Sequence, residues 1–496
     1  MTSSFQPVVL AAGLGQGLQP LTKTYCKATL PIANVPMISY VLHLLNREGF
    51  PDAIIICRES HEDRIKATLT ASSEKKGPTK TSIVPYTIET IPDDSTMGTA
   101  DALRLFASKI QKDVLLLPCD LICNVPFSRL LDVHRLRDAS LTMLLARPSR
   151  DITAKKKTQH RATYQLDRDI IGLADDRVFI MTSETSAIEK TALQVSQHAG
   201  TQAGTITIRR DLEDPHVYIL KKWVVDMIAD RDLLSSIKDD LVPYLVSKQF
   251  APPRKHSKDI YNYIPASETA RYAGIVPSVK LDDRIRCHAL VLENVHGLNR
   301  PSPTANFCCT RVRTLEQYME INHGMHNFLQ DLLDVPEEQV QELQADLRTA
   351  LVTPNKQQQQ HGDDDDDDDA SGDGSKQAAT GAEGTTPRGI TVAKVAKVSK
   401  DVFVGVGSRA EPGATMHSCV IGDDCTIGEG TAIRGCVIMN NVSIGRNCLL
   451  TNVCVCDNAR IESNSRLSNC NVAPGHVVKP GTIRQGTVTG SAPSFI

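Results

Sequence analysis

Hydrophobic positions along the 496-residue chain follow two different rhythms, and the change comes in its last quarter. Upstream, short apolar runs alternate with stretches of helical spacing. Val8-Val9-Leu10, Ala53-Ile54-Ile55-Ile56-Cys57, Val114-Leu115-Leu116-Leu117 and Leu141 to Leu145 read as buried strands, while Ile38 to Leu45 carries a helical pattern. Uninterrupted apolar strands separated by helices predict a mostly parallel sheet covered on both faces, a Rossmann-like α/β domain over residues 1–330. Val340, Leu343, Leu347 and Leu351 form a further helical stripe, so an amphipathic helix is expected over 331–353.

From residue 389 the period becomes six. Ile421, Ile427 and Ile433 are followed by Ile438, Ile444 and Leu450, then by Val455, Ile461 and Leu467, with one-residue slips between the groups. Two residues before the aliphatic sits a small side chain, as at Cys425, Val442, Cys448, Ala459 and Ser465, and glycine follows it at Gly422, Gly428 and Gly445. Positions two apart on a strand share a face, so a large and a small residue fill each inward corner of a tight coil. The expectation is a left-handed parallel β-helix of hexapeptide repeats over 389–496, with three hexads to a turn. Half of the fourteen cysteines lie between Cys419 and Cys470. Cys425, Cys448 and Cys454 are assigned to the small inward slot, and paired knuckles of the zinc type are missing, so no metal is expected.

Between the two rhythms, residues 354–388 hold Gln357 to Gln360, the acidic run Asp363 to Asp369 and an Ala/Ser/Gly/Thr stretch. Such a segment buries too little to offset its ordering entropy and is expected to be a disordered linker. Apart from that run the chain is slightly basic, a bias too weak to argue for nucleic acid. No stretch approaches the apolar length of a membrane span, and the N-terminus lacks a basic leader before its apolar run. The cysteines are accordingly expected to be reduced thiols in the cytosol.

The richest chemistry lies in Leu10-Ala-Ala-Gly-Leu-Gly-Gln-Gly-Leu-Gln-Pro-Leu-Thr22, followed by Lys27 to Met37. A glycine-rich turn leaving a strand lets backbone N–H groups approach a phosphate. The string resembles the signature of sugar-nucleotide pyrophosphorylases. Met97 to Leu103 looks like that family's segment near base and sugar, and Pro118-Cys-Asp120 matches the place of its metal-binding aspartate. The resemblance implies a domain built to join a nucleoside triphosphate to a sugar phosphate. Gly13, Gly15, Lys27 and Asp120 are then its nucleotide-binding remnants; they either still contact phosphate or persist because the fold needs the turn and the strand end.

The departures point away from catalysis. Gln16-Gly17 stands where the signature has Thr-Arg, which removes a cation from the transferring phosphates. Aligning Thr314 and Tyr318 with the family's second metal element puts Arg311 where a magnesium ligand belongs, and magnesium needs oxygen donors. No catalytic residue and no cofactor is therefore expected. The rivals are an active mannose- or glucose-1-phosphate nucleotidyltransferase, and a hexapeptide acyltransferase using His417 or His476.

Asp214 to Val225, Ser236 to Val246, Arg311 to Asn322 and Cys436 to Val442 resemble the gamma-subunit family of eukaryotic translation initiation factor two-B. The related epsilon family carries a further helical exchange domain, and the end of the chain at Ile496 favours gamma. The resemblance implies a non-catalytic subunit of the factor that exchanges GDP for GTP on the GTPase delivering initiator tRNA. It also implies pairing with an epsilon subunit, assembly with alpha, beta and delta subunits into a decamer, contact with the GTPase, and a part in regulation by its phosphorylated alpha subunit. Direct binding to nucleic acid or membrane is not implied.

Overall fold

The computed structural model describes residues 2–74, 82–148, 169–183, 205–250, 259–265, 284–295, 307–333, 383–385, 391–393, 397–399 and 401–486. Two compact units divide the chain, Met1–Asp334 and Val335–Ile496. Of the helix expected over 331–353 only 331–333 are described, inside Leu329–Leu333. The expected linker over 354–388 lies outside the described residues except for a strand, Glu383–Thr385, that pairs antiparallel with Thr391–Ala393.

The first unit is built on a ten-stranded sheet. Its order is Thr207–Arg209, Asp169–Ala174, Arg177–Ser183, Cys287–Val295, Leu141–Pro148, Tyr218–Leu220, Asp113–Pro118, Phe5–Leu10, Ala53–Arg58 and Tyr86–Ile91. Alternate residues face opposite sides. Val8, Ile54, Ile56, Val114 and Leu116 enter one core; Val9, Ile55, Cys57, Leu115 and Leu117 enter the other. The expected strands and the helix Met37–Arg47 are present.

The mostly parallel sheet is a correction. The four strands from Asp113–Pro118 to Tyr86–Ile91 are parallel, but Tyr218–Leu220 runs antiparallel to both its neighbours. Beyond it, the strands of 169–209 form an antiparallel group with Asp169–Ala174 in the middle. A three-residue strand buried on both faces has the same composition whichever way it runs, so the sequence held no sign of its direction.

The second unit stacks two- and three-residue parallel strands into three sheets. Partners one coil apart lie 17 residues apart, as in Val420↔Val437↔Cys454↔Asn471. Two hexads and one five-residue segment make that coil, which accounts for the phase slips. Every corner carries a residue in the left-handed region: Ser418, Gly435, Asn452 and Asn469 at one, Asp424, Asn441, Asn458 and Gly475 at the next. Asn, Asp and Gly reach that conformation at least cost. Gly428 has another reason to be glycine. A Cβ there would stand 2.7 Å from the Gly445 carbonyl carbon of the next coil.

The small inward slot is also a donor slot. Cys425 Sγ lies 2.9 Å from Met439 O, Thr431 Oγ1 2.8 Å from Gly445 O, and Cys448 Sγ 3.3 Å from Glu462 O. A weakly polar group there meets a carbonyl of the neighbouring coil, which alanine would leave unmet. Cys454 is a second correction. The five-residue corner shifts the phase, so Val453 takes the slot before Val455 inside the core, and Cys454 faces away from the coil interior.

Candidate functional site

The glycine loop follows Phe5–Leu10 and is held by its own backbone. Gly15 sits at φ 63, where a Cβ would lie 2.8 Å from Thr22 Cγ2, and Thr22 Oγ1 donates to Gly15 O at 3.0 Å. Gln16 and Gly17 begin a single 3-10 turn and are exposed, as is Gly13. Lys27 opens the next such turn, and its side-chain stem packs beneath Gly15.

Asp120 lies in the turn between Asp113–Pro118 and Leu121–Cys123. The latter strand pairs antiparallel with Cys309–Arg311, setting Arg311 opposite Leu121, and Val312 N donates to Asp120 O at 3.0 Å. That register brings two residues 191 positions apart into contact. Arg311 Nε donates to Asp120 Oδ1 at 2.9 Å and Arg311 Nη2 to Oδ2 at 3.0 Å, while Lys27 Nζ also donates to Oδ2. Asp120 is 1% exposed. Burial alone would raise its pKa, but the charges and hydrogen bonds of Arg311 and Lys27 hold the carboxyl well below the usual carboxylate range.

The structure thus joins Lys27, Asp120 and Arg311, three of the residues singled out in the sequence. Both Asp120 oxygens are occupied by cationic donors in a bidentate pair plus a third bond. A magnesium ion of the pyrophosphorylase type needs those oxygens free and a second oxygen ligand where Arg311 stands, so the residues present do not fit it. Among the described residues no group of three or more His, Cys, Asp and Glu side chains is placed to hold a metal.

Sequence reasoning missed the surroundings of this pair. Arg313, two residues past Arg311, has an Nε that is buried without a partner. Its pKa is lowered by burial and then by the charge of Arg311. Asp214 accepts from the Tyr218 hydroxyl and, at 2.7 Å, from His216 N. Its neighbour Asp169 is paired with Lys238 at 2.8 Å. His216 is held neutral by burial, with Arg311 and Lys238 adding to the effect. Asp214, His216, Tyr218, Lys238 and Arg313 lie in segments that carry the family resemblance, but that resemblance gave none of them a role at this site.

Burial raises the Asp214 pKa to about 6, against the opposing pull of Lys238 and Tyr218. A carboxyl raised above its unfolded value contributes stability when protonated, and that contribution is lost as pH climbs through about 6. Asp214→Asn is therefore expected to gain on the wild type, by about 2 kcal/mol between pH 4.5 and 7.5. Urea unfolding followed by Trp223 fluorescence measures it, since the chain's sole tryptophan is buried in the first unit. An unchanged difference between the two pH values would contradict the assignment.

The segment Met97 to Leu103 is likewise tied down. Gly98 N donates to Asp101 Oδ2 at 2.9 Å, and Ser235 Oγ and Arg104 also bond that carboxylate. A Cβ on Gly98 would meet Ser235 O at 2.2 Å. Gly17 faces a similar wall, because a Cβ there would lie 2.4 Å from Arg313 O. That carbonyl cannot yield easily: Gln317 Oε1 accepts from Arg313 N at 2.9 Å and closes a capping box with Thr314. Restoring the signature arginine as Gly17→Arg is expected to destabilise the first unit by about 1–3 kcal/mol, read as a shift of its Trp223 unfolding transition.

Comparison with known proteins follows the two units. Residues 6–154 match the nucleotidyl transferase family, and residues 386–483 match the left-handed β-helix domain described for the eIF2B epsilon subunit. The eIF2B gamma subunit of Schizosaccharomyces pombe is 30% identical over 324 residues, 64% of this chain and 64% of that protein. The gamma subunit of Dictyostelium discoideum is 28% identical over 264 residues, 50% of this chain and 58% of that protein. A mannose-1-phosphate guanyltransferase of Yarrowia lipolytica is 29% identical over 245 residues, 49% of this chain and 56% of that protein. The aligned stretch thus spans a little under two thirds of either gamma subunit. No described helix is long and apolar enough to cross a membrane. The chain thus carries a nucleotidyl transferase match followed by a left-handed β-helix match, and the eIF2B gamma subunits are among the proteins to which it is similar.

Proposed function

We propose that this chain is a non-catalytic subunit of a translation initiation factor, the gamma subunit of the assembly that exchanges GDP for GTP on the initiator-tRNA GTPase. Its part is to scaffold an epsilon subunit within a cytosolic decamer that also holds alpha, beta and delta subunits. Together they contact the GTPase and respond to phosphorylation of its alpha subunit. The observation that carries the non-catalytic half is the pairing of Asp120 with Arg311 and Lys27. A carboxylate committed to two internal cations has no oxygen left for the metal that nucleotidyl transfer requires. The assembly half rests on the similarity to gamma subunits. A native pull-down of the tagged chain, analysed by mass spectrometry, is expected to recover four other initiation-factor subunits; recovery of self-oligomers alone would overturn the assignment.

The rival reading, an active sugar-1-phosphate nucleotidyltransferase, predicts pyrophosphorolysis of a sugar nucleotide with magnesium. No turnover is expected from the purified chain. Turnover that disappears in Asp120→Ala would refute the non-catalytic reading. Arg313 supports a second role for the old pocket. Arg313, whose Nε is buried without a partner and whose charge is opposed by that of Arg311, favours an anion, so Gly13, Gly15 and Lys27 retain the means to contact a phosphate without a metal. Calorimetry with GTP, GDP and sugar nucleotides in the presence of a chelator tests it; no heat at millimolar ligand removes this role and leaves the scaffold reading intact.

A further inference from the structure

The two-stranded ribbon beside the Asp120 turn brings together two thiols from distant parts of the chain. Leu121–Cys123 and Cys309–Arg311 run antiparallel, with Cys123 directly opposite Cys309. Asn124 N donates to Cys308 O at 3.1 Å at one end of the ribbon, and Val312 N donates to Asp120 O at 3.0 Å at the other. Bonded and non-bonded pairs alternate along an antiparallel ladder, so Cys123 and Cys309 fall on a non-hydrogen-bonded pair. Cα atoms there stand about 4.5 Å apart and side chains approach most closely. A disulfide spans about 4.4–6.8 Å between Cα atoms, a separation this register already supplies. The side chains agree. The Cys123 thiol interacts directly with that of Cys309, and Val125 N donates to Cys123 Sγ at 3.4 Å. Cys308, next to Cys309 in the chain, instead turns its Sγ toward Ile122 O at 4.0 Å.

We propose that Cys123 and Cys309 are the site of a reversible disulfide, formed by a hydroperoxide, that locks this ribbon. At rest both are buried free thiols, and contact with Cys123 together with burial holds Cys309 well above the ordinary thiol range. Cys309 is therefore protonated at neutral pH and reacts only when the ribbon opens. A two-stranded ribbon of three residue pairs opens at less cost than the ten-stranded sheet. With hydrogen peroxide, Cys309 Sγ attacks one oxygen, the O–O bond breaks, water leaves and Cys309 becomes a sulfenic acid. As the ribbon closes, Cys123 Sγ attacks that sulfur, the S–O bond breaks and a second water carries off the remaining thiol proton. Two thiols are oxidised to one disulfide, and one peroxide is reduced to two waters. A dithiol reverses the step by exchange. Asp120 precedes one strand and Arg311 ends the other, so the cross-link fastens the two segments that the Arg311–Asp120 pair also joins. This rests on the ribbon alone and does not depend on the proposed function.

The test uses the purified full chain. It is exposed to hydrogen peroxide, its remaining thiols are blocked with N-ethylmaleimide in denaturant, and its peptides are read by mass spectrometry without reduction. A linked Cys123–Cys309 peptide is expected, lost on treatment with dithiothreitol, while Cys308 is recovered as the alkylated thiol. In Cys123→Ser, Cys309 is expected to stop at the sulfenic acid and to be trapped by dimedone. Trp223 fluorescence supplies a second reading. The urea midpoint of the oxidised wild type is expected to lie above that of the reduced chain, because a cross-link across so long a stretch constrains the unfolded state. Cys123→Ser/Cys309→Ser is expected to show no such shift. Recovery of both Cys123 and Cys309 as thiols after peroxide overturns the proposal, as does a linked peptide in which Cys308 replaces either. A linked Cys123–Cys309 peptide that leaves the midpoint unmoved, or a shift that persists in the double variant, overturns the lock.

Discussion

Asp120→Ala is expected to lower the stability of the first unit by about 3–5 kcal/mol, because it strands Arg311 and Lys27 in a desolvated site. Arg311 is nearly buried and its pKa is raised chiefly by Asp120 against the pull of burial, so it cannot shed its charge to relieve the strain. A carboxylate present only to ligate a metal would behave otherwise, since neutralising it would remove a desolvated charge. The double variant Asp120→Leu/Arg311→Met is expected to recover much of the loss, as apolar replacements of a whole buried pair commonly do. Trp223 fluorescence during urea unfolding reports the first unit alone. If the single variant is as stable as the wild type, the ion pair is not what holds this turn to the strand Cys309–Arg311.

The second large effect lies in the solenoid. Ile438→Ala removes a side chain that is 1% exposed and stacked between the inward residues Ile421 and Val455 of the adjoining coils. A loss of about 2–5 kcal/mol is expected for the second unit. A coil touches only its neighbours, so the damage should concentrate in the coils around residue 438. Pulse labelling in increasing urea should show Cys436 and Cys454 becoming reactive before the outlying Cys470. Ile483→Ala, at a residue 75% exposed, should change stability by less than about 0.5 kcal/mol. Equal effects from both substitutions would contradict the division into inward and outward positions.

The solenoid was legible because its pattern repeats: inward aliphatics and small partners return in every coil, so the rhythm survives local noise. Cys454 was misplaced for the same reason in reverse. A six-residue rhythm carried through a five-residue corner lands one position late, and on a strand one position is the opposite face. In the first unit, apolar runs marked the strands, but the short antiparallel strand Tyr218–Leu220 carried no sign of its direction or its place in the sheet. Within the candidate site, the broken motif pointed to Gln16, Gly17 and Arg311. It could not show Arg311 bonded to Asp120, which depends on a three-residue strand pairing far along the chain. Arg313, Asp214 and His216 lie in segments that carried the family resemblance, yet nothing there marked their place in the site, since their character comes from burial and from their neighbours.

The Arg311–Asp120–Lys27 cluster also bears on the history open to this chain. Arg311→Asp would set a second carboxylate against Asp120 with Lys27 as the nearest cation to balance both. Gly17→Arg would drive a Cβ into the Arg313 carbonyl before the new guanidinium reached any phosphate. Each substitution is expected to give a less stable protein. A metal centre of the pyrophosphorylase type is thus more than one tolerated substitution away from this sequence, while the surfaces of the fold stay free to vary.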